Sequence, residues 1–189
     1  MSLPRFKVRP LSQKIYFTVE TLESLPEYPE GPLIELIEGD LYMVPSSTIL
    51  HQRISRNLLA ILNSHLQKNR VGEVLAAPID VILSEETLVI PDLVVILNEN
   101  RNILTEKNVQ GAPDMVIEIL SSNRAQDLER KRDIYERYGV KEYWVIDPAE
   151  QSVVKFALVE GKYAEPEICY ERVKCDFLDL NIDVKDIFP

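Results

Sequence analysis

Residues 114 to 120 read DMVIEIL, a run in which Glu118 interrupts a series of apolar side chains. In extended backbone alternate side chains share a face, so Glu118 points with Val116 and Leu120 while Met115, Ile117 and Ile119 point the other way. Both faces are made of core residues. An unpaired charge buried there would shift its pKa and take up a proton, so an ionised Glu118 implies a cation. Asp92 raises the same problem in IPDLVVIL, where it enters an apolar run directly after Pro91. A single acid of this kind can sit at a strand end, solvated or paired with an arginine. Two on adjacent candidate strands point further, to carboxylates converging with a main-chain carbonyl and waters in the oxygen-rich site that Mg²⁺ prefers.

The third residue is a lysine on an apolar stripe. Wound at about 100° per residue, residues 124 to 138 place Leu128, Ile134, Tyr135 and Tyr138 on one face, with Lys131 in the middle of it. Arg130, Arg132, Asp133, Glu136 and Arg137 fall elsewhere, as a solvated face should. An isolated lysine in that seat can snorkel to the edge or pair with Asp127 one turn back. Together with Asp92 and Glu118, it completes a set of two acids and one amine able to neutralise one another around a metal. Such a set suits metal-assisted phosphodiester hydrolysis. The metal polarises the scissile phosphate and acidifies a water, while the ammonium orients that water and stabilises charge in the transition state.

The elements that must position these residues follow from pattern. Thr18 can cap a short helix over VETLESL that stops near Pro26, and LIELIEGDLYMV reads as a hairpin turning at Glu38-Gly39. Residues 50 to 68 carry Ile54, Leu58, Ile61, Leu62, His65 and Leu66 at amphipathic-helix spacing, with His51 at the start of the same face. Strands are expected over 73 to 83, 88 to 97 and 113 to 120, all rich in Val, Ile and Leu. A helix over 125 to 138 ends at Gly139, EYWVID (142 to 147) forms a strand closed by Pro148, and SVVKFALV with GKY suggests a last hairpin. Strands bracketing helices, with some hairpins, predict an α/β domain around a mixed sheet.

Bulk properties narrow the chemistry. A chain of 189 residues with 46% apolar and 28% charged residues is expected to fold as one domain over 1–189, with 1–17 as a basic N-terminal extension. No apolar run approaches the ~18 to 20 residues of a membrane span, and MSLPRFKVRP lacks the apolar stretch of a secretory signal, so a cytoplasmic protein is expected. Cys169 and Cys175 with His51 and His65 cannot build a Cys/His zinc cage, which leaves oxygen as the ligand for any metal. The net charge of −10 opposes a nucleic-acid partner, since phosphate binding normally leaves a basic footprint. Two local features soften that objection. Residues 1 to 14 carry Arg5, Lys7, Arg9 and Lys14 with no acid, and Arg130, Lys131 and Arg132 are consecutive, although each also reads as a basic tail or a solvated helix face.

Four segments carry a family resemblance: IELIEGDLYMVP followed by His51, then IPDLVVI, APDMVIEILSS and DLERKRDIYERYGVKEYWVIDP. The last is specific, whereas a bare PD followed by an acid occurs by chance. Over most of its length the chain resembles the Uma-type family of proposed restriction endonucleases, a branch of the PD-(D/E)XK nuclease superfamily. The resemblance implies a restriction-endonuclease-like core, a mixed β-sheet flanked by helices, with Asp92, Glu118 and the carbonyl of Ile119 as divalent-metal ligands. The superfamily pattern places a lysine two residues after the glutamate, where this chain has Leu120. In this branch the lysine has moved to the following helix, here Lys131, the residue that the face analysis singles out independently. Asn123 departs from the SPS-like sequence of relatives as a loop variation.

Glu35 matches an early acidic residue of the family and could be a further metal or water ligand, or could pack on a strand face against a nearby base. His51 matches a family histidine near the site, and the ordinary role for such a residue is a helix-start histidine without proton transfer. Tyr135 and Trp144 read as core aromatics, with the Tyr135 hydroxyl one turn from Lys131 and able to support the site. The resulting expectation is an endonuclease that hydrolyses DNA with Mg²⁺ or Mn²⁺. It would work as a homodimer, because cutting both strands takes two sites. Two alternatives stay open: a catalytically inactive binding or regulatory module that keeps the fold, and a hydrolase of small phosphate esters.

Overall fold

The computed structural model describes residues 16–24, 33–120 and 125–189, with side chains omitted at 125–128. Arg5, Lys7, Arg9, Lys14, Pro26 and Asn123, and the side chains of Asp127 and Leu128, lie outside the described residues.

Helix α1 (Val19–Glu23) starts where the Thr18 hydroxyl accepts a hydrogen bond from the Thr21 N–H. Strands β1 (Ile34–Ile37) and β2 (Asp40–Met43) form the expected hairpin. Glu38 and Gly39 both take positive φ, 50° and 82°, the pair of left-handed residues that a tight two-residue turn needs. Helix α2 (Ile49–Asn69) is capped by Thr48 and stopped by Arg70 in the left-handed conformation. Ile54, Leu58, Leu62 and Leu66 recur every four residues along it and are fully buried.

The two longest predicted strands are each broken by a proline. Residues 73 to 83 divide into β3 (Gly72–Ala76) and β4 (Val81–Ser84), with Pro78 between them. Residues 88 to 97 divide into β5 (Thr87–Val89) and β6 (Leu93–Leu97) around Pro91. A proline has no N–H to give to a ladder, so each run leaves one sheet at the proline and joins another. The chain continues through β7 (Val109–Gln110), β8 (Met115–Ile119), α3 (Ala125–Tyr138), β9 (Glu142–Asp147), β10 (Ser152–Val159) and β11 (Lys162–Tyr163). It ends in three strands that pattern alone did not predict: β12 (Glu167–Cys169), β13 (Arg172–Cys175) and β14 (Leu180–Asp183).

Strands β2-β1-β5-β4-β7 form one sheet, in that order. The larger sheet runs β11-β10-β9-β8-β6-β3, with β12 also on β10, and β13 and β14 make a separate ribbon. The large sheet is mixed, since β8 and β9 run parallel while β6 and β8 run antiparallel. The α/β expectation with a mixed sheet is therefore met.

Strand β8 is buried on both faces. Met115, Ile117 and Ile119 pack with Ile54, Leu58 and Leu62 of α2, while Val116 packs with Ile134 and Tyr135 of α3. The two long helices thus cover opposite faces of the large sheet, and Glu118 shares the α3 face. Replacing Leu58 by Ala should lower the unfolding free energy by about 2–5 kcal/mol, because the rigid sheet behind it cannot close the cavity. Urea denaturation followed by circular dichroism would read this shift, with an unchanged midpoint counting against the packing described.

Candidate active site

Lys131 lies at the centre of a buried polar cluster between the two sheets. Its Nζ donates hydrogen bonds to Glu35 Oε1 at 2.7 Å and to Glu118 Oε1 at 2.9 Å. All three residues are about 2% exposed or less. Tyr135, one helical turn further along α3, donates its hydroxyl to the same Glu118 Oε1 at 3.0 Å. Glu35 Oε1 also accepts the Ile90 N–H at 2.9 Å, which ties β1 to the segment leading into Asp92.

Asp92 stands beside this cluster because Pro91 turns the chain there from the smaller sheet to the larger. Its Oδ2 accepts the Ile119 N–H at 2.7 Å, so the carboxylate is pinned to the backbone immediately after Glu118. Its other oxygen, Oδ1, is 3.1 Å from His51 Nε2 in the first turn of α2. His51 Nδ1 is buried and has no hydrogen-bond partner among the described residues. These surroundings favour the tautomer that carries the proton on Nε2 and donates it to Asp92.

The sequence-predicted residues thus come together as two linked groups, Glu35–Lys131–Glu118–Tyr135 and His51–Asp92–Ile119. Of the two readings open for Glu35, pairing with a nearby base is the one the structure displays, and the base is Lys131. His51 does sit at a helix start, yet its ring faces Asp92. Trp144 is a core aromatic whose Nε1 donates to Glu142 Oε2 at 2.8 Å. The Ile90 N–H is the contact that sequence reasoning could not have found, because backbone donors leave no residue-type signal.

Charge does not balance within the cluster. Glu35, Glu118 and Asp92 contribute −3 and Lys131 contributes +1, which leaves −2 when His51 is counted as neutral. Burial pushes the Glu118 carboxyl up to about 7, against the pull of Lys131 and with help from the charges of Asp92 and Glu35. Burial also works against the Lys131 ammonium, but Glu118 and Glu35 more than offset it and the pKa is raised. The Tyr135 phenol is held well above its usual range, first by burial and then by Glu118 and Glu35, so its hydroxyl remains a donor.

A cleft of about 860 Å³ reaches the cluster from solvent. His51, Asp92 and Leu120 line it, together with the β2–α2 connection at Ser47 and Thr48 and with Asp147 at the end of β9. Asp92 is therefore the carboxylate of the cluster that reaches the cleft, which Asp147 also lines, while Glu118 and Lys131 do not line it. Among the described residues no three His, Cys, Asp or Glu side chains converge on one point that could hold a metal. A cation here would need Asp92, Glu118 and a backbone oxygen, and the Ile119 backbone is already held against Asp92. The donors are all hard oxygen and carboxyls outnumber the single ammonium, which fits a divalent cation such as Mg²⁺.

A family model described as "Uma2: Putative restriction endonuclease" matches residues 19–184. The chain belongs to the Uma2 family. The match takes in every residue of the cluster, from Glu35 to Tyr135. Among solved structures, the chain is similar to a "putative nuclease belonging to DUF820" from Anabaena variabilis ATCC 29413. The TM-score is 0.77 at 23% identity, over 91% of this chain and 97% of that one. At that identity the likeness speaks for the fold, which is the restriction-endonuclease-like α/β arrangement. A search of curated proteins returns no match.

Within this Uma2 fold the lysine is a structural keystone as well as a polar group. Lys131→Ala would leave Glu35 and Glu118 as two buried carboxylates without their shared cation, and stability should fall by about 3–5 kcal/mol. Tyr135→Phe removes one neutral donor and should cost roughly 1 kcal/mol. Equilibrium denaturation of both variants checks the order, and a Lys131→Ala protein as stable as wild type would contradict the pairing.

Proposed function

We propose that this chain is a metal-dependent endonuclease that hydrolyses DNA phosphodiester bonds, with Asp92, Glu118 and Lys131 as its catalytic residues. The observation that carries the reading is the buried Lys131 ammonium held on Glu118, with Asp92 bound to the next backbone amide and open to the cleft. Membership in a family described as "Putative restriction endonuclease" points the same way.

Mg²⁺ or Mn²⁺ held by Asp92, Glu118 and the Ile119 carbonyl would polarise the scissile phosphate and acidify an attacking water. Lys131 remains an ammonium under its two carboxylates, so it can donate to that water or to the phosphate oxygens and stabilise charge that grows in the transition state. Glu35 is a positioning residue for Lys131, Tyr135 for Glu118 and His51 for Asp92. Cleavage of both strands would take two such sites, hence a homodimer. A single domain over 1–189, with 1–17 as a basic extension and a cytoplasmic location, completes the proposal.

A second reading has its own support. Asp92 and Glu118 already have partners in His51 and Lys131, as an inactive nuclease-fold binding or regulatory module would require. Supercoiled plasmid incubated with Mg²⁺ or Mn²⁺ separates the two. The nuclease reading expects nicked or linear product that EDTA abolishes, and a loss of roughly 100-fold or more in Asp92→Asn and Glu118→Gln. Calorimetry should show one divalent ion bound in wild type and weakened in both variants. No metal binding, with wild-type cleavage no greater than that of Lys131→Ala, would leave the inactive module standing.

A further inference from the structure

Residues 41 to 72 contain no aspartate or glutamate, although the chain carries 31 acids in 189 residues. The same stretch holds Arg53, Arg56, Lys68 and Arg70, a charge of +4, so the remaining 157 residues carry −10 − 4 = −14. Most of this stretch is α2, whose buried face is spent on the core. Its exposed face carries these bases and no acid of its own, although Asp179 and Glu99 stand beside Lys68 and Arg70 at its far end.

Arg53 and Arg56 stand three residues apart on that exposed face. Neither forms an ion pair with a described residue, and Arg56 donates only to the neutral Asn57 Oδ1, at 3.0 and 3.4 Å. Four arginines elsewhere pair with acids, Arg101 with Glu73, Arg132 with Asp133, Arg137 with Glu38 and Arg172 with Asp183, whereas Arg70 and Arg130, like Arg53 and Arg56, pair with no described acid and lie away from this depression. Arg53 and Arg56 line a shallow depression with Ser47, Thr48, Ile49 and Gln52. Ser47 and Thr48 also line the cleft that contains His51 and Asp92, so the depression adjoins the cleft at those two residues.

We propose that this face of α2, centred on Arg53 and Arg56, is the docking surface for the phosphate backbone of the DNA strand that enters the cleft. The choice of DNA as the ligand rests on the nuclease reading above. The chemistry fits, because a guanidinium fork matches phosphate geometry and Gln52 and Ser47 add neutral donors beside it. The −10 net charge ceases to be an objection when the approach is governed by the local field next to the site. Ile49 is 74% exposed on the same surface, and an exposed isoleucine one turn before the two arginines would also suit an anionic membrane, which is the competing occupant.

Fluorescence anisotropy with a labelled duplex of about 20 base pairs and with single-stranded DNA, in EDTA so that nothing is cut, tests the surface. The Arg53→Glu/Arg56→Glu protein should bind about tenfold or more weakly, and the slope of log K against log[salt] should fall in magnitude by about 1.8, the change expected when two duplex phosphates are no longer neutralised. Arg53→Lys/Arg56→Lys should keep most of that slope, and Lys68→Glu/Arg70→Glu, at the far end of the helix, should change it less. Unaltered circular dichroism confirms that these surface variants fold. Equal losses at both ends of α2, or no loss, would overturn the proposal. So would binding to phosphatidylserine vesicles, rather than to DNA, that depends on Arg53 and Arg56. If DNA binding depends on the two arginines but wild type cuts nothing in Mg²⁺, the docking surface stands and the nuclease reading falls. If the Arg53→Glu/Arg56→Glu protein binds and cuts DNA as well as wild type does, the docking surface falls and the nuclease reading stands.

Discussion

A lysine ammonium cannot be placed between two sheets unless anions surround it, and two glutamates cannot be placed there unless a cation separates them. The contact of Lys131 with Glu35 and Glu118 meets both conditions at once, and it ties the consecutive elements β8 and α3 to β1, which is distant in the chain. Any shift of α3 along the sheet would break two charge-assisted hydrogen bonds between largely buried charged groups. The register of the helix on the sheet is thus specified by polar contacts within an otherwise apolar interface. Tyr135, bonded to the same Glu118 oxygen, reinforces that register from the next turn.

The second constraint is topological. Pro91 ends the smaller sheet's claim on the chain, and the strand that follows belongs to the larger sheet. Asp92 occupies the step between them, which is why an acid can sit inside an apolar run without lying in the middle of a strand. The Ile119 amide that would otherwise be left at the end of β8 donates to Asp92 instead. One hydrogen bond therefore satisfies a strand terminus and fixes the distance between the two carboxylates proposed as metal ligands. Ile90, one residue before Pro91, does the same for Glu35 through its own N–H. The four residues from 89 to 92 thus serve both halves of the cluster.

Much of this was legible in the sequence because period and residue type were both informative. Alternation in DMVIEIL placed Glu118 on the face opposite Ile117 and Ile119, and the two cores confirm that division. Helical spacing put Lys131 on the apolar stripe with Ile134 and Tyr135, where it lies. Thr18, Gly39 and Gly139 marked element ends through capping and positive φ. The broken strands were not legible, since Pro78 and Pro91 signal an interruption without saying that the chain changes sheets. Strands β12 to β14 were missed because EIC, RVKC and LNID are too short for alternation to rise above composition. Contacts that depend on distance alone, such as His51 with Asp92, needed the fold.

The charge distribution follows from the same economy. On the proposed function, a site with three carboxyls and one ammonium repels a polyanion unless a divalent cation offsets the excess of acid, so the residues proposed to bind the metal also disfavour phosphate without it. If both are ligands as proposed, metal and nucleic acid bind cooperatively at the cleft, since each reduces the electrostatic cost of the other. The surface proposed to attract phosphate is instead the outer face of α2, which carries no acid of its own and begins beside the cleft. Screening over about 8–10 Å at physiological salt lets the two fields coexist in one molecule. An acidic protein can in this way present a basic path to an acidic site, with net charge describing neither.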